Sequence, residues 1–197
     1  MDRTEIINSL IKKNNYKKYL EIGVESGQNI KIIECDLKHG VDPNVTAYDA
    51  QFHLKSDEFF DIIRNDMKYD IIFIDGMHTE EQVLRDVDNA IKHLTKKGVI
   101  VLHDSNPPEE SFADPTPRAI NWCGTVYKAV WKLRRRSNLT VHTVDCDFGC
   151  AIIQVTPPTY VLKIKEFSNW TEFDTNRKTY LGLITEEEFT SMYISAA

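Results

Sequence analysis

Hydrophobic positions along the chain change their spacing several times, as expected where strands and helices alternate. Residues 71–74 and 99–102 are apolar at every position, which is typical of strands covered on both faces of a parallel sheet. Between these two runs, apolar residues recur at helical spacing over residues 83–94. The pattern predicts an α/β fold built on a doubly wound, mostly parallel sheet.

The same pattern predicts seven strands and five helices before the C-terminal tail. Strands are predicted at residues 19–22, 39–42, 46–53, 71–74, 99–102, 139–144 and 151–155, the last two forming an antiparallel pair. Helices are predicted at residues 6–11, 30–33, 56–63, 79–94 and 122–133. Thr79 and Gln82 have the spacing of a capping box at the start of the fourth helix, and residues 96–98 (Lys-Lys-Gly) are a stop signal at its end.

The chain divides into a main domain over residues 1–156 and an extension over residues 157–197. Two consecutive prolines at 157 and 158 mark the boundary. The extension contains aromatic residues at 167, 170, 173 and 180. We expect a short helical tail that packs on the same domain, with dimer contacts or a lid as the alternative roles.

Composition narrows the classes of partner and the compartment. The 197 residues carry a formal net charge of −6, which argues against nucleic acid or an anionic membrane as a partner. The four cysteines show no paired spacing, and no apolar run approaches the roughly 20 residues that span a bilayer. The first residues lack the features of a secretion signal. We therefore expect a cytoplasmic protein whose partner is small or neutral.

A glycine loop follows the first predicted strand. Gly23 and Gly27 lie between that strand and the next helix, where missing side chains and free helix N–H groups favour close approach of a ligand. Asp42 ends the next strand, 19 residues after Gly23, where a carboxylate can accept the hydroxyls of an adenosine ribose. Together they indicate a nucleoside cofactor. The alternatives are a glycine that only ends a strand and an aspartate that only caps the turn before Pro43.

Two further strand ends carry acids and histidines. Asp75 and His78 follow the strand at 71–74, and His103 and Asp104 follow the strand at 99–102. Adjacent parallel strands would bring Asp75 and Asp104 within a few ångströms, and such carboxylates share a proton or a divalent cation, for which Mg²⁺ is the natural choice. His78 could take a proton near neutral pH. The alternative is two loop-capping acids beside a surface histidine.

Four segments of the chain carry a family resemblance. YLEIGVESG, GVDPN, FIDGMHTEEQVLRDVDNAIKHLTKKGVIVLHD and FGCAII, within residues 17–155, resemble the class I S-adenosylmethionine-dependent methyltransferases. The likeness is greatest to the subgroup that methylates hydroxyls of sugars and other small molecules, and the D-G-x-H and L-H-D motifs are its most specific part. The resemblance implies a Rossmann-like fold and S-adenosylmethionine as the cofactor.

The resemblance also implies roles for individual residues. Glu21, Gly23 and Gly27 would flank the methionine part of the cofactor, Asp42 its ribose, and Ser56 and Asp57 its adenine. Asp75 and Asp104 would bind Mg²⁺, and His78 would be the catalytic base. We also assign Asp75 to the catalytic and to the cofactor-binding residues. We add His103 to the predicted metal ligands, although relatives often carry an acid there. Glu25 is a second departure, since it stands where the family usually has a glycine.

These observations predict an S-adenosylmethionine-dependent O-methyltransferase assisted by Mg²⁺. An NAD-dependent oxidoreductase is an alternative, because a glycine loop followed by an acid also suits NAD, but the G-x-G-x-x-G pattern is missing. A non-catalytic binding module on the same fold is a second alternative. The loop from Asn106 to Arg118, rich in proline, is expected to cover the acceptor.

Overall fold

Seven strands form one sheet in the computed structural model of this chain, which describes residues 1–117, 122–163 and 166–195. Their order across the sheet is β2-β1-β3-β4-β6-β5-β7, and β6 alone runs antiparallel to its neighbours. The predicted mostly parallel sheet with an antiparallel pair near its end is confirmed. The strands are β1 (Lys18–Ile22), β2 (Leu37–Val41), β3 (Tyr69–Ile74), β4 (Leu94–Leu102), β5 (Thr140–Val144), β6 (Cys150–Gln154) and β7 (Leu183–Ile184).

Helices flank the sheet and connect most of its strands. They are α1 (Arg3–Asn14), α2 (Gln28–Ile32), α3 (Ser56–Ile62), α4 (Glu80–Lys92), α5 (Val126–Leu133), α6 (Trp170–Leu181) and α7 (Glu186–Phe189). A 3₁₀ helix covers Glu110–Ala113, and a π-helical segment covers Thr190–Ser195. Within the described residues, no helix combines the length and the apolar character needed to cross a membrane.

The central strands are buried on both faces, as their continuous apolar runs predict. In β3, Ile71 and Phe73 pack on one side with α1, whereas Ile72 and Ile74 pack on the other side with α4 and α5. Alternate residues of a strand point to opposite faces, so each face of the sheet gains its own hydrophobic layer. The result is a three-layer arrangement with the sheet in the middle.

The topology brings the ends of β1 and β3 together at one edge of the sheet. The chain passes from β1 outward to β2 and then returns to β3 on the other side of β1, which makes this edge the switch point where ligands bind in such sheets. Gly23 ends β1 with a φ of +88°, and a Cβ there would lie 2.2 Å from the backbone oxygen of Asp75. The contact between the two strand ends therefore requires glycine at position 23.

The predicted strand at residues 46–53 is wrong. This segment is a loop, and only Phe52 makes a bridge, with Val41 of β2. The side chain of Asn44 accepts hydrogen bonds from the N–H and the hydroxyl of Thr46, which bends the chain into a turn instead of extending it. The seventh strand is β7 in the tail, which pairs with β5.

The capping box predicted at the start of α4 does not form. Thr79 precedes the helix, but its side chain makes no capping hydrogen bond. The N–H of Glu80 instead donates to the hydroxyl of Thr125, 2.7 Å away, and the Gln82 amide bonds to side chains on α3 and α4. Thr125, the residue directly before α5, therefore supplies the acceptor that a local cap would have supplied.

The end of α4 lies earlier than the lysine pair predicts. The helix stops at Lys92, and the chain enters β4 at Leu94, so residues 96–98 belong to the strand. His93 is buried at this junction, and its Nδ1 lies 3.0 Å from the backbone oxygen of Met67. The apolar spacing predicts that the next helix includes Trp122, but α5 begins only at Val126.

The tail adds to both hydrophobic layers. Phe173 and Tyr180 of α6 pack with Tyr127 of α5 in one layer, while Phe189 of α7 joins the other. Residues 143–145 of β5 and its following turn bond to the backbone of residues 182–184. The described part of residues 157–195 therefore lies against the same sheet.

Replacing Gly23 with alanine tests the strand contact. The new methyl group would meet the backbone of Asp75, and φ of +88° is unfavourable for alanine, so we expect Gly23→Ala to lower the free energy of unfolding by at least about 2 kcal/mol. Urea denaturation measures the change. Gly76→Ala is the matched control, because its added Cβ would make an ordinary 3.4 Å contact with Ile22. Equal losses in the two variants would contradict the close approach of β1 and β3.

Candidate active site

Asp75, His78 and Asp104 come together at the carboxyl ends of β3 and β4. One side-chain oxygen or nitrogen from each of the three lies within 4.8 Å of the other two. Asp75 directly follows β3, and Asp104 lies two residues beyond β4 with a φ of +54°. The predicted meeting of the two carboxylates is therefore confirmed.

His78 is held in place by the loop that precedes α5. Its Nδ1 lies 2.9 Å from the backbone oxygen of Trp122, and its ring stacks on the Trp122 indole with centroids 5.1 Å apart. Its backbone oxygen accepts the N–H of Thr125, and a Cβ on Gly124 would lie only 2.1 Å from that oxygen. The imidazole therefore has one fixed orientation, with Nδ1 donating to a carbonyl.

The other nitrogen of His78 faces a carboxylate. Nε2 lies 3.4 Å from Asp75 Oδ1, while Nδ1 lies 3.2 Å from Asp104 Oδ2. Burial lowers the pKa of His78, but the two carboxylates outweigh burial and raise the pKa above the usual histidine value. A proton taken up at Nε2 is therefore stabilised by Asp75.

His103 lies between three carboxylates. Its Nδ1 is 3.1 Å from Asp75 Oδ1 and 3.3 Å from Asp104 Oδ2, and its Nε2 is 2.8 Å from the backbone oxygen of Asp147. Burial lowers the pKa of His103, but the surrounding acids outweigh burial and hold the pKa well above its ordinary value. The structure thus places His103 as a buried cation beside the group of Asp75, His78 and Asp104, with both nitrogens engaged.

Arg3 is a second cation at this edge, and no pattern in the sequence predicts its place here. Its Nη1 donates to Asp75 Oδ2 at 2.9 Å, and its Nε donates to Asp147 Oδ2 at 2.8 Å. Burial would raise the pKa of Asp75, but His103 and His78 outweigh burial and hold that pKa well below its usual range. Asp75 is therefore ionised, with a cationic partner on each oxygen.

Asp147 and Trp122 were also missed as parts of the site. Asp147 lies in the turn between β5 and β6, which the sequence marks only as a turn. His103 and Arg3 hold the pKa of Asp147 below its usual range, so it completes a network of alternating charges. No spacing in the sequence connects residues 3, 75 and 147, because only the folded sheet brings them together.

The chemistry of the donor set fits a divalent cation. Two carboxylates and an imidazole are common ligands of metal ions, and hard carboxylate oxygens suit Mg²⁺. Asp75 and Asp104 would supply these oxygens. His103 belongs to a second group with Asp147 and Cys150, and its Nδ1 bridges the same two carboxylates that a metal would use.

Glu21 lies almost fully buried near the end of β1. The Tyr19 hydroxyl donates to its Oε2, and Asn29 Nδ2 donates to the same oxygen at 2.9 Å. Burial raises the pKa of Glu21 to about 7, despite these two hydrogen bonds that favour the charged form. Glu21 is therefore a carboxyl that titrates near neutral pH and has no close cationic partner among the described residues.

Asp42 organises the glycine loop. Its Oδ2 accepts the N–H groups of Val24 and Glu25 at 3.0 and 2.8 Å, and its Oδ1 accepts the N–H of Asn44 at 2.8 Å. Glu25 adopts a φ of +47°, so it takes the left-handed conformation that glycine would favour there. A carboxylate oxygen can accept two hydrogen bonds. Oδ1 of Asp42 could therefore still accept one from a ribose hydroxyl, as predicted.

Gly27 and the predicted adenine contacts are engaged within the protein. A Cβ on Gly27 would lie 2.2 Å from Asp49 Oδ2, in the loop that follows β2. Ser56 and Asp57 begin α3, and both accept hydrogen bonds from Gln82 Nε2 of α4 at 3.1 and 3.2 Å. These contacts tie α3 to α4 beside the same edge of the sheet.

A family comparison covers the strands that carry the site. Residues 18–105 match a family model described as a methyltransferase domain. The match begins at β1 and ends directly after Asp104, so it includes Glu21, Asp42 and Asp75. A search of curated proteins finds no match to this chain.

Several solved structures share the fold. They include a candidate caffeoyl-CoA O-methyltransferase from Staphylococcus aureus, with 21% identity, 78% of this chain and 83% of that chain covered, and a TM-score of 0.59. TomG, an O-methyltransferase from Streptomyces achromogenes solved with S-adenosylmethionine, has 14% identity, coverage of 78% and 79%, and a TM-score of 0.58. An O-methyltransferase from Bacillus cereus, in complex with S-adenosylhomocysteine, has 13% identity, coverage of 77% and 79%, and a TM-score of 0.58.

These likenesses show a Rossmann-like methyltransferase fold. At such identities they establish the arrangement of the chain and not the roles of single residues. The family match over residues 18–105 and the fold together support a methyltransferase.

The raised pKa of Glu21 predicts a pH-dependent stability. Between its ordinary pKa of 4.5 and its folded-state pKa of about 7, the folded protein keeps a proton that the unfolded chain has lost. The contribution of Glu21 is therefore complete below pH 4.5 and is lost as the pH rises through 7, an effect of roughly 3 kcal/mol. The unfolding free energy of Glu21→Gln minus that of the unmodified protein should rise by this amount from pH 4 to 8.

Chemical denaturation across this pH range measures the difference. Glu34→Gln removes an exposed carboxylate and serves as the control, for which we expect no such rise. Parallel stability curves for Glu21→Gln and the unmodified protein would show that Glu21 titrates normally.

Proposed function

We propose that this chain is an S-adenosylmethionine-dependent O-methyltransferase that acts on a hydroxyl of a sugar, a glycan or another small molecule. The observation that carries the proposal is the placement of His78, with Asp75 3.4 Å from its Nε2, at the same sheet edge as Glu21 and Asp42. Methyl transfer to a hydroxyl is helped by a base that takes the hydroxyl proton close to the bound methyl donor. His78 would be this base, and Glu21 and Asp42 would bind the donor.

The buried acids at the ends of β1 and β2 fit this cofactor. S-adenosylmethionine carries a cationic ammonium group and a sulfonium, and it has two ribose hydroxyls. Glu21, whose carboxyl is 1% exposed, would accept the ammonium group, and Asp42 Oδ1 would accept a ribose hydroxyl. Ser56 and Asp57 would lie beside the adenine. A cationic group bound at Glu21 would replace its proton, and the described residues supply no close cationic partner of their own there.

Bound S-adenosylmethionine supplies an electrophilic methyl group on a sulfonium. His78 would take the proton of the attacking hydroxyl at Nε2 as the oxygen–carbon bond forms and the carbon–sulfur bond breaks. The carbonyl of Trp122 keeps Nδ1 as the donor nitrogen, so the lone pair is at Nε2. Asp75 would stabilise the imidazolium that results, and S-adenosylhomocysteine leaves as a neutral sulfide.

Asp75 and Asp104 would hold Mg²⁺ in this proposal. The ion would supply a Lewis acid that lowers the pKa of the acceptor hydroxyl. The close approach of the two carboxylates supports this assignment. Arg3 and His103 already form ion pairs with these carboxylates. A metal ion would therefore have to compete with them.

The acceptor would enter from the side of the loop that follows β4. Part of this loop is ordered as a 3₁₀ helix, and the backbone oxygen of Phe112 accepts the N–H groups of Cys123 and Gly124. Trp122 Nε1 donates to the backbone oxygen of Asp114 at 2.7 Å. These contacts place the loop next to His78, in support of its role as a cover. Arg118, at the end of the predicted cover, lies outside the described residues.

Cofactor binding is the first test. We expect calorimetry to detect S-adenosylhomocysteine at micromolar concentration and to detect no heat with NAD. Asp42→Asn should weaken the binding about 10-fold, because it removes a charged acceptor of the ribose hydroxyl. Asp36→Asn, an exposed aspartate before β2, is the control. Binding of NAD in place of S-adenosylhomocysteine would favour an oxidoreductase, and binding of neither would favour a non-catalytic module.

The base is tested by replacing His78. Once an acceptor has been found by transfer of a labelled methyl group, His78→Ala should lower kcat by about 10²- to 10⁴-fold, with the affinity for S-adenosylhomocysteine within about 3-fold of normal. Met77→Ala, at the exposed neighbouring position, should retain turnover. Unchanged turnover in His78→Ala would remove the base assignment.

Metal binding can be measured without knowing the acceptor. Mn²⁺, used as a paramagnetic substitute for Mg²⁺, should bind the purified protein, and Mg²⁺ should displace it. Asp75→Asn and Asp104→Asn should each weaken Mn²⁺ binding at least about 10-fold, since each removes an anionic ligand. Asp66→Asn, at an exposed site, should leave it unchanged. Binding that is insensitive to both site variants would place the metal elsewhere or exclude this site.

A further inference from the structure

Cys146 and Cys150 lie on either side of the tight turn that joins β5 to β6. The backbone N–H of Gly149 donates to the backbone oxygen of Cys146 at 2.6 Å, and the two residues between them, Asp147 and Phe148, have a positive φ. Such a turn brings its first and fourth residues to within roughly 7 Å of each other. Because Cys150 directly follows the fourth residue, the turn holds the two cysteines close together.

The side chains of the two cysteines lie on the same face of the sheet. Cys150 is the register partner of Val144 in the β5–β6 pair, and residues directly opposite each other point to the same side. Cys146 packs against the hydrophobic layer that contains both of these residues. The S–H of Cys150 donates a hydrogen bond to the sulfur of Cys146, and both cysteines are free thiols. The two sulfur atoms are therefore in contact without a bond between them.

The two thiols differ in their access to solvent. Cys146 is half-buried and lines a cavity of about 330 Å³, which is formed by this turn, the loop after β4 and Arg177 of α6. Cys150 is fully buried at the start of β6. A small oxidant can therefore reach Cys146 from the cavity, whereas Cys150 is shielded.

The surroundings of Cys146 favour its thiolate. The hydrogen bond from Cys150 outweighs burial and lowers the pKa of Cys146 below the ordinary cysteine value. Cys35 is also half-buried, but burial raises its pKa, and burial likewise raises the pKa of Cys123. The thiolate is the form of cysteine that reacts with oxidants. Cys146 thus combines access with a lowered pKa, which the other three cysteines do not.

We propose that Cys146 and Cys150 are a reversible oxidation site, in which Cys146 reacts with hydrogen peroxide and Cys150 then closes a disulfide. The thiolate of Cys146 attacks one peroxide oxygen, the O–O bond breaks, and the hydroxide that leaves takes up the proton lost by the thiol. Cys146 is now a sulfenic acid. The sulfur of Cys150 displaces its hydroxyl as a second water. Two thiols have lost two electrons and two protons, and one peroxide has become two waters.

The disulfide would close a ring over residues 146–150 that contains Asp147. Cys150 is held in β6 between β4 and β5, so the turn would move when the two sulfurs approach to about 2.0 Å. The backbone oxygen of Asp147 accepts His103 Nε2, and its carboxylate accepts Arg3 Nε. The oxidation site therefore adjoins the charge cluster of the candidate active site, and it does not depend on the proposed methyl transfer.

Peptide mapping of the peroxide-treated folded protein tests the proposal. After free thiols have been blocked, mass spectrometry should find a loss of two hydrogen atoms in the peptide that contains both cysteines, and a dithiol reductant should reverse it. Unmodified cysteines in this peptide, a disulfide that joins two protein molecules, or oxidation of Cys35 ahead of Cys146 would each overturn the proposal.

Variants separate the two steps of the reaction. Cys146→Ser should slow the loss of thiols in peroxide at least about 10-fold, because it removes the accessible thiolate. Cys150→Ser should leave Cys146 as a sulfenic acid that dimedone traps. Cys35→Ser, at the other half-buried cysteine, is the matched control and should leave both the rate and the disulfide unchanged. An unchanged rate in Cys146→Ser would contradict its role, and the peptide map of the unmodified protein decides the question even where a variant fails to fold.

Discussion

Three carboxylates converge at the carboxyl edge of the sheet, and the fold holds them together because two cations lie between them. Asp75, Asp104 and Asp147 come from three separate connections, and Arg3 and His103 bridge them. Buried charges of one sign repel strongly where water is excluded, so a partner of opposite charge is a condition for this arrangement. The cluster fixes α1, β3, β4 and the β5–β6 turn relative to one another.

The cations of this cluster lie close to Asp75 but not to Glu21, so the pKa values of these two buried acids shift in opposite directions. Asp75 has cationic partners, and its pKa is held well below the usual range, so it is ready to stabilise a proton on His78. Glu21 lies one strand away, where Tyr19 and Asn29 donate neutral hydrogen bonds to it, and burial raises its pKa to about 7. Acids whose pKa values are driven apart by their surroundings are typical of functional sites. We propose that Asp75 stabilises the protonated His78 during the transfer and that Glu21 binds the ammonium group of the cofactor.

The sequence predicts those parts of the site that follow from strand ends. Acids within two residues of the ends of adjacent apolar runs are expected to meet at one edge of a parallel sheet, so Asp75 and Asp104 could be paired in advance. Arg3 could not be found this way, because its contacts to Asp75 and Asp147 span 72 and 144 residues of chain. Local signals failed where tertiary contacts replaced them: the Thr125 hydroxyl took the place of the Thr79 cap, and the side-chain turn at Asn44 prevented the strand at 46–53.

A crystal structure of the complex with S-adenosylhomocysteine would decide whether this sheet edge is the cofactor site. We expect the ribose on Asp42, the amino group on Glu21, and the sulfur at the ends of β1 and β3, facing His78 and Asp75. A nucleoside bound away from Glu21 and Asp42, or a sulfur on the opposite side of the sheet edge from His78, would contradict this assignment.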